Sequence, residues 1–142
     1  MTKIAFFDVD GTLINVPYQL LKPTKRTIEA LKDFQKQGNY IVVASARGAM
    51  PDCLKEIPFD GFIGCDGGYI EFHQEVLLNN IFTVKELNLQ NSVYEATNGQ
   101  YIISERNQSY FSDMNGELIK KHLRLYPSHD IEPTTAFKPK FI

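Results

Sequence analysis

The 142 residues contain no basic block, no long apolar run, no internal repeat and no low-complexity tract. Lys and Arg number 15 against 17 Asp and Glu, a formal net charge of −2, so bulk electrostatics does not draw the chain to nucleic acid. No apolar run approaches the length of a membrane span, and the N-terminus lacks the apolar core of a signal peptide. Cys53 and Cys65 lie in separate segments without metal-ligand spacing, and read as reduced thiols in a cytoplasmic protein. His73, His122 and His129 are scattered and read as surface or packing residues. A hydrophobic content of 43% and a charged content of 23% are ordinary for a globular chain. The length suits one domain, or one domain with a small insertion.

The residues that organise the chain lie near its start. Ile4 to Phe7 is a short apolar run with the length and aromatic content of a buried strand. It runs into Asp8-Val9-Asp10-Gly11-Thr12-Leu13. Period-2 geometry places Asp8 and Asp10 on one side if the chain stays extended. Two like charges held that close need a proton, a cation or solvent between them. Gly11 allows a sharp turn beyond them. Carboxylates at the carboxyl end of a parallel strand stand where open α/β sheets place their ligands. A solvated turn that closes a strand without chemistry uses the same residue types.

After Leu13 comes a polar, proline-containing link through Pro17, then a helix with Thr24 at its N-cap. Ile28, Ala30, Leu31 and Phe34 form its apolar stripe, and Gly38 ends it. The β-branched run 40–44 reads as a strand buried on both faces. Strand, helix and strand in that order make a right-handed βαβ unit, so the two strands are parallel. Ser45 then leaves the sheet at the same edge as Asp8 and Asp10. Its hydroxyl, followed by backbone N–H groups at the start of a helix, suits a phosphate oxygen; it suits equally a cap on the segment 49–57. Residues 59–65 read as a third strand, and Asp66-Gly67-Gly68 as a turn into a hairpin strand at 69–72. Asp66 is either a turn residue or part of a pocket lining.

From about Leu77 the pattern changes. Thr83-Val84-Lys85-Glu86 is a capping box that opens a helix toward Tyr94. Short strands follow near 101–104 and 109–112, around a polar turn. Residues 115–125 form an amphipathic helix with Leu118, Ile119, His122 and Leu123 on one side, ended by Pro127. Pro133 and Pro139 limit the tail, 130–142, to an edge strand or an irregular segment. The chain therefore reads as an α/β domain over 1–78 and a small α+β segment over 79–142.

Phe7-Asp8-Val9-Asp10-Gly11-Thr12-Leu13 resembles the first motif of the haloacid dehalogenase-like hydrolases, Asp-x-Asp-Gly-Thr-Leu. Ala44-Ser45-Ala46-Arg47 is similar to the Ala-Thr-Gly-Arg second motif of the Cof-type phosphatases in that family, with Ala46 in place of the glycine. Cys65-Asp66-Gly67-Gly68 is similar to their Asn-Gly-Ala stretch, with Asp66 in the Asn position. The likeness is strong to Phe72 and weaker beyond it. It implies a Rossmann-like parallel three-layer core, incomplete in this chain, followed by part of an inserted cap. It also implies a Mg²⁺-dependent phosphatase acting on a small phosphorylated metabolite, with neither nucleic acid nor membrane as a partner.

Carried over residue by residue, the resemblance makes Asp8 the nucleophile that forms an aspartyl-phosphate and Asp10 the general acid and base. Asp8 and the backbone of Asp10 would hold Mg²⁺, and Gly11, Thr12, Ser45, Ala46 and Arg47 would bind the phosphate. Two family motifs are missing, a phosphate-neutralising lysine and an acidic pair of the Gly-Asp-x-x-Asn-Asp kind. Lys138 and Lys140 stand in the tail, before the cap would end, and do not take the lysine role. The expectation is therefore the N-terminal half of a longer enzyme, or a catalytically incomplete interaction module. In either case residues 3–8 form a hydrophobic sheet edge open to self-association.

Overall fold

The structure, a computed structural model, describes residues 1–104, 106, 109–113, 115–125 and 133–134. The chain divides into two compact units, Met1–Asn79 and Asn80–Ile142.

In the first unit, Thr24 sits in extended backbone and its Oγ1 accepts the Thr27 N–H at 3.1 Å, satisfying a donor that the first helical turn leaves open. α1 (Lys25–Lys36) follows. Gly38, at φ +80°, takes the left-handed turn beyond its end. Strands β1 (Ile4–Phe7), β2 (Tyr40–Ala44) and β3 (Gly61–Gly64) are parallel neighbours, and β4 (Tyr69–Phe72) and β5 (Glu75–Asn79) add antiparallel, in the order β1-β2-β3-β4-β5. This is the Rossmann-like α/β arrangement, with α1 packed on one face of a mixed sheet. Leu31 of α1 buries against Ile41 and Val43, and the cluster extends through Val9, Leu13, Leu54, Ile57, Phe62 and Tyr69. In β2, Ile41, Val42 and Val43 are all buried, as a continuous β-branched run requires.

Two local expectations change, and one strand is new. Ile4 to Phe7 is not a buried strand. β1 is the sheet edge, Ala5 and Phe7 turn toward α1, and Ile4 and Phe6 on the opposite face are 52% and 61% exposed. An apolar hollow of about 460 Å³, lined by Ala5, Phe7, Ala30, Leu31 and Phe34 among others, opens between β1 and α1. The link after the acidic pair is not wholly polar. Leu13 and Ile14 fold back into the core, and Asn15 bridges to Leu20 around the short 3₁₀ turn Val16–Tyr18. β5, finally, is an added strand. His73 and Gln74 both have positive φ (49° and 67°) and close a two-residue hairpin normally written with Asn and Gly, so the turn carries no obvious sequence signal.

At the amino end of the parallel strands, Asp60 ties three elements together. Its Oδ2 accepts the Ile41 N–H of β2 at 2.8 Å and Gln35 Nε2 of α1 at 2.9 Å, while Oδ1 lies 3.3 Å from His73 Nε2. His73 also stacks on Phe72, with ring centroids 4.2 Å apart. It is a packing residue, as its isolation in sequence suggested.

In the second unit, α2 (Val84–Thr97) carries the full capping box. Glu86 N–H donates to Thr83 Oγ1, and the Glu86 carboxylate accepts from the Thr83 N–H. Asn98, in the left-handed region at φ 50°, ends the helix. β6 (Ile102–Ser104) and β7 (Ser109–Phe111) form an antiparallel hairpin, and β8 (Pro133–Thr134) lies parallel to β7 at the sheet edge, where a proline is tolerated. α3 (Glu117–Leu125) receives Gln100 at its start, whose Oε1 accepts the Leu118 and Ile119 N–H groups at 3.2 and 3.3 Å. Ile119 is buried at 2%, but Leu118 is 65% exposed and leaves the apolar side expected for it. The expected helix stop at Pro127 and the tail other than residues 133–134 lie outside the described residues.

Candidate active site

The parallel pairing of Phe7 with Val43 sends Asp8 and Ser45 off the same edge of the sheet. β1 stops at Phe7, so Asp8 and Asp10 do not continue an extended strand. The chain instead wraps around the Val9 carbonyl, which accepts the N–H groups of Thr12, Leu13 and Ile14 at 3.3, 3.0 and 3.0 Å. Val9 itself is fully buried and pins this loop to the core. Gly11 has φ +90°, with nothing near the place a Cβ would occupy, so its backbone angle alone accounts for the glycine.

The two carboxylates have different surroundings. Asp8 is exposed, and Thr12 Oγ1 donates to its Oδ2 at 3.3 Å. Asp10 is mostly covered and receives a bidentate pair from Arg47: Nε on Oδ2 and Nη2 on Oδ1, both at 2.9 Å. Arg47, expected at the phosphate, thus reaches across from the end of β2 to the loop after β1. Charge complementarity at one sheet edge was the available sequence signal for that pair, but only the register shows that the two residues meet.

Ser45 Oγ accepts the Arg47 N–H at 3.2 Å, and the Ser45 N–H donates to the Ile63 carbonyl of β3. No α-helix starts in the residues directly following Ser45. The segment 49–57 contains only the 3₁₀ turn Asp52–Leu54, so the serine caps a local turn. Ala46 is exposed and stays outside the left-handed region, so the residue in place of the family's glycine imposes no backbone strain. Asp66 is exposed and left-handed at φ 53°, beside Gly67 at φ 92°, which is turn geometry. The Cys65 N–H next to it donates to the Arg47 carbonyl at 3.0 Å.

The Asp8 carboxylate and the Asp10 carbonyl offer only oxygen donors, the kind a hard divalent cation takes. Mg²⁺ binds through one or two carboxylates and retains waters, so these residues fit it in kind while providing less than a full shell. Among the described residues no group of three His, Cys, Asp or Glu is placed to hold a metal.

A family model for haloacid dehalogenase-like hydrolases matches residues 5–140. The chain belongs to that family. YkrA of Bacillus subtilis (strain 168), provisionally named a phosphatase, is 30% identical to it over 81 residues, which make up 56% of this chain and 30% of that protein. Among solved structures, the sugar phosphatase BT4131, of subclass IIB of the family, is 26% identical with a TM-score of 0.68 over 85% of this chain and 47% of its own. BT1666 from Bacteroides thetaiotaomicron superposes with a TM-score of 0.76 at 18% identity, over 94% of this chain and 50% of its own. The haloacid dehalogenase-like chain described here thus spans about half the length of these solved structures. Among its described residues no helix is long and apolar enough to cross a membrane.

Proposed function

We propose that the chain supplies the nucleophile half of a Mg²⁺-dependent phosphatase acting on a small phosphorylated metabolite, with residues 79–142 as part of its cap. The observation that carries this reading is the asymmetric Asp8–Asp10 pair at the carboxyl end of β1, with Ser45 leaving β2 at the same edge. The Cof-type motifs and the phosphatase names of YkrA and BT4131 support it. A cytoplasmic setting accompanies it.

Uncatalysed hydrolysis of phosphate monoesters is extremely slow, so a nucleophile and charge stabilisation must both be provided. Asp8, open to solvent, attacks phosphorus. The bond from phosphorus to the leaving oxygen breaks, and Asp10 gives that oxygen a proton. In the second half Asp10 takes a proton from water as the water oxygen attacks phosphorus, and the phosphorus bond to Asp8 breaks. Ser45 and the backbone N–H of Ala46 hold the remaining phosphate oxygens, since the Gly11 and Thr12 N–H groups are already donated to the Ile14 and Val9 carbonyls at 2.7 and 3.3 Å. Mg²⁺ bound to the Asp8 carboxylate and Asp10 carbonyl would offset the repulsion between carboxylate and phosphate.

The test is phosphate release from an aryl phosphate with Mg²⁺ and with EDTA, on a mass-verified chain beside Asp8→Asn. Metal-dependent turnover lost in Asp8→Asn is the expected result. A folded chain without turnover would leave the second reading, a catalytically incomplete module. The open β1 edge and the absent lysine and acidic motifs favour that reading.

A further inference from the structure

Arg47 is held from the ends of three strands of the sheet. Ser45 Oγ accepts its N–H, the Cys65 N–H donates to its carbonyl, and its guanidinium spans both oxygens of Asp10. The Arg47 and Asp10 side chains are only 20% and 22% exposed. A planar fork meeting a carboxylate in two parallel bonds fixes the carboxylate's direction as well as its charge. Each carboxylate oxygen has about two lone-pair sites, so the clamp leaves room on either for a proton. Asp8 is exposed and, among the described residues, has only the longer Thr12 contact. The site therefore leaves one carboxylate open and fixes the other, a division that suits a nucleophile and a proton carrier.

We propose that Arg47 is a positioning residue for Asp10, holding the carboxylate that transfers the proton, and not a ligand of the phosphate. The proposal rests on the phosphatase reading above. It predicts that loss of Arg47 is felt where the leaving group needs a proton. A nitrophenolate departs without one, whereas an alkoxide does not.

The experiment compares Arg47→Ala, Arg47→Lys, Asp10→Asn and the Arg47→Ala/Asp10→Asn double variant on an aryl and an alkyl phosphate. General acid catalysis contributes about 10²- to 10⁴-fold, so Arg47→Ala should lower kcat on the alkyl ester by about tenfold more than on the aryl ester, with KM unchanged. Arg47→Lys should recover part of that loss, and the double variant should be no slower than Asp10→Asn alone. An equal loss on both esters, or a rise in KM in place of the fall in kcat, overturns the proposal.

Calorimetry with inorganic phosphate and Mg²⁺ decides the matter without turnover. The Arg47→Ala affinity should stay within about twofold of wild type; weakening by about tenfold, the worth of one lost charged contact, overturns the assignment. Absence of Asp8-dependent turnover with phosphate still bound counts against the phosphatase reading of this chain, and leaves the calorimetry to judge Arg47. A chain that neither turns over nor binds phosphate overturns both.

Discussion

Arg47 and Asp10, 37 residues apart in sequence, meet in two parallel 2.9 Å hydrogen bonds across the carboxyl end of β1 and β2. Both side chains are largely shielded, so removing one leaves the other's charge poorly solvated. Arg47→Met should therefore destabilise the first unit by about 1–3 kcal/mol, and Asp10→Asn, which retains an acceptor, by less. Urea unfolding of the two single variants and the double variant reads the coupling. Additive losses would show that the pair contributes nothing jointly.

Asp8 stands in a different position. It is exposed and, among the described residues, meets only Thr12 Oγ1 at 3.3 Å, so Asp8→Asn should change stability by no more than about 0.5 kcal/mol. Turnover, where present, should vanish. A thermal melt beside the phosphate-release assay separates the two effects, and a large fall in Tm would show that Asp8 is structural.

Asp60 is the polar tie of the opposite end of the sheet. Its carboxylate accepts the Ile41 N–H of β2 and the Gln35 side chain of α1. Asp60→Ala leaves a strand N–H without its partner and should cost about 2 kcal/mol. Hydrogen exchange should show the Ile41 amide losing protection more than Val43, deeper in the same strand.

The Thr83–Glu86 capping box predicts a pH dependence. The Thr83 backbone N–H, and after it the Thr83 hydroxyl, hold the Glu86 carboxyl below its usual value of 4.5. A carboxyl lowered in the folded state stabilises it above the unfolded value, and that contribution disappears as pH falls through the folded value. Circular dichroism should show α2 losing helicity with acid below the ordinary carboxylate range. Thr83→Ala removes the hydroxyl's share and keeps the backbone N–H, so it should reduce that dependence in part, and should also cost about 1 kcal/mol at neutral pH through loss of the cap.

The open edge of β1 predicts association. Ile4 and Phe6 are more than half exposed on a strand paired only with β2, its outer edge open. Sedimentation should detect concentration-dependent oligomers of the chain, removed by Phe6→Lys. An oligomer that persists in Phe6→Lys would point to a different surface.

Local patterns were enough to locate α1 with its Thr24 cap, α2 with its capping box, the buried run of β2 and the acidic pair after β1. Each depends on neighbours within a few residues, where periodicity and hydrogen-bond chemistry act directly. The sequence also put Asp8, Asp10 and Ser45 at one edge, because two strands joined by a crossover helix run parallel and so end on the same side. Tertiary structure decided the rest. The open edge at residues 3–8 was expected from the missing partner motifs, and β1 is the sheet edge; the exposure of Ile4 and Phe6 depends on what covers the face opposite α1, which the strand's own residues do not state. The hairpin at His73-Gln74 is closed by positive φ angles imposed by the β4–β5 pairing, against the preference of those residues. Arg47 meets Asp10 because parallel register brings two loops together, a distance that no spacing along the chain encodes.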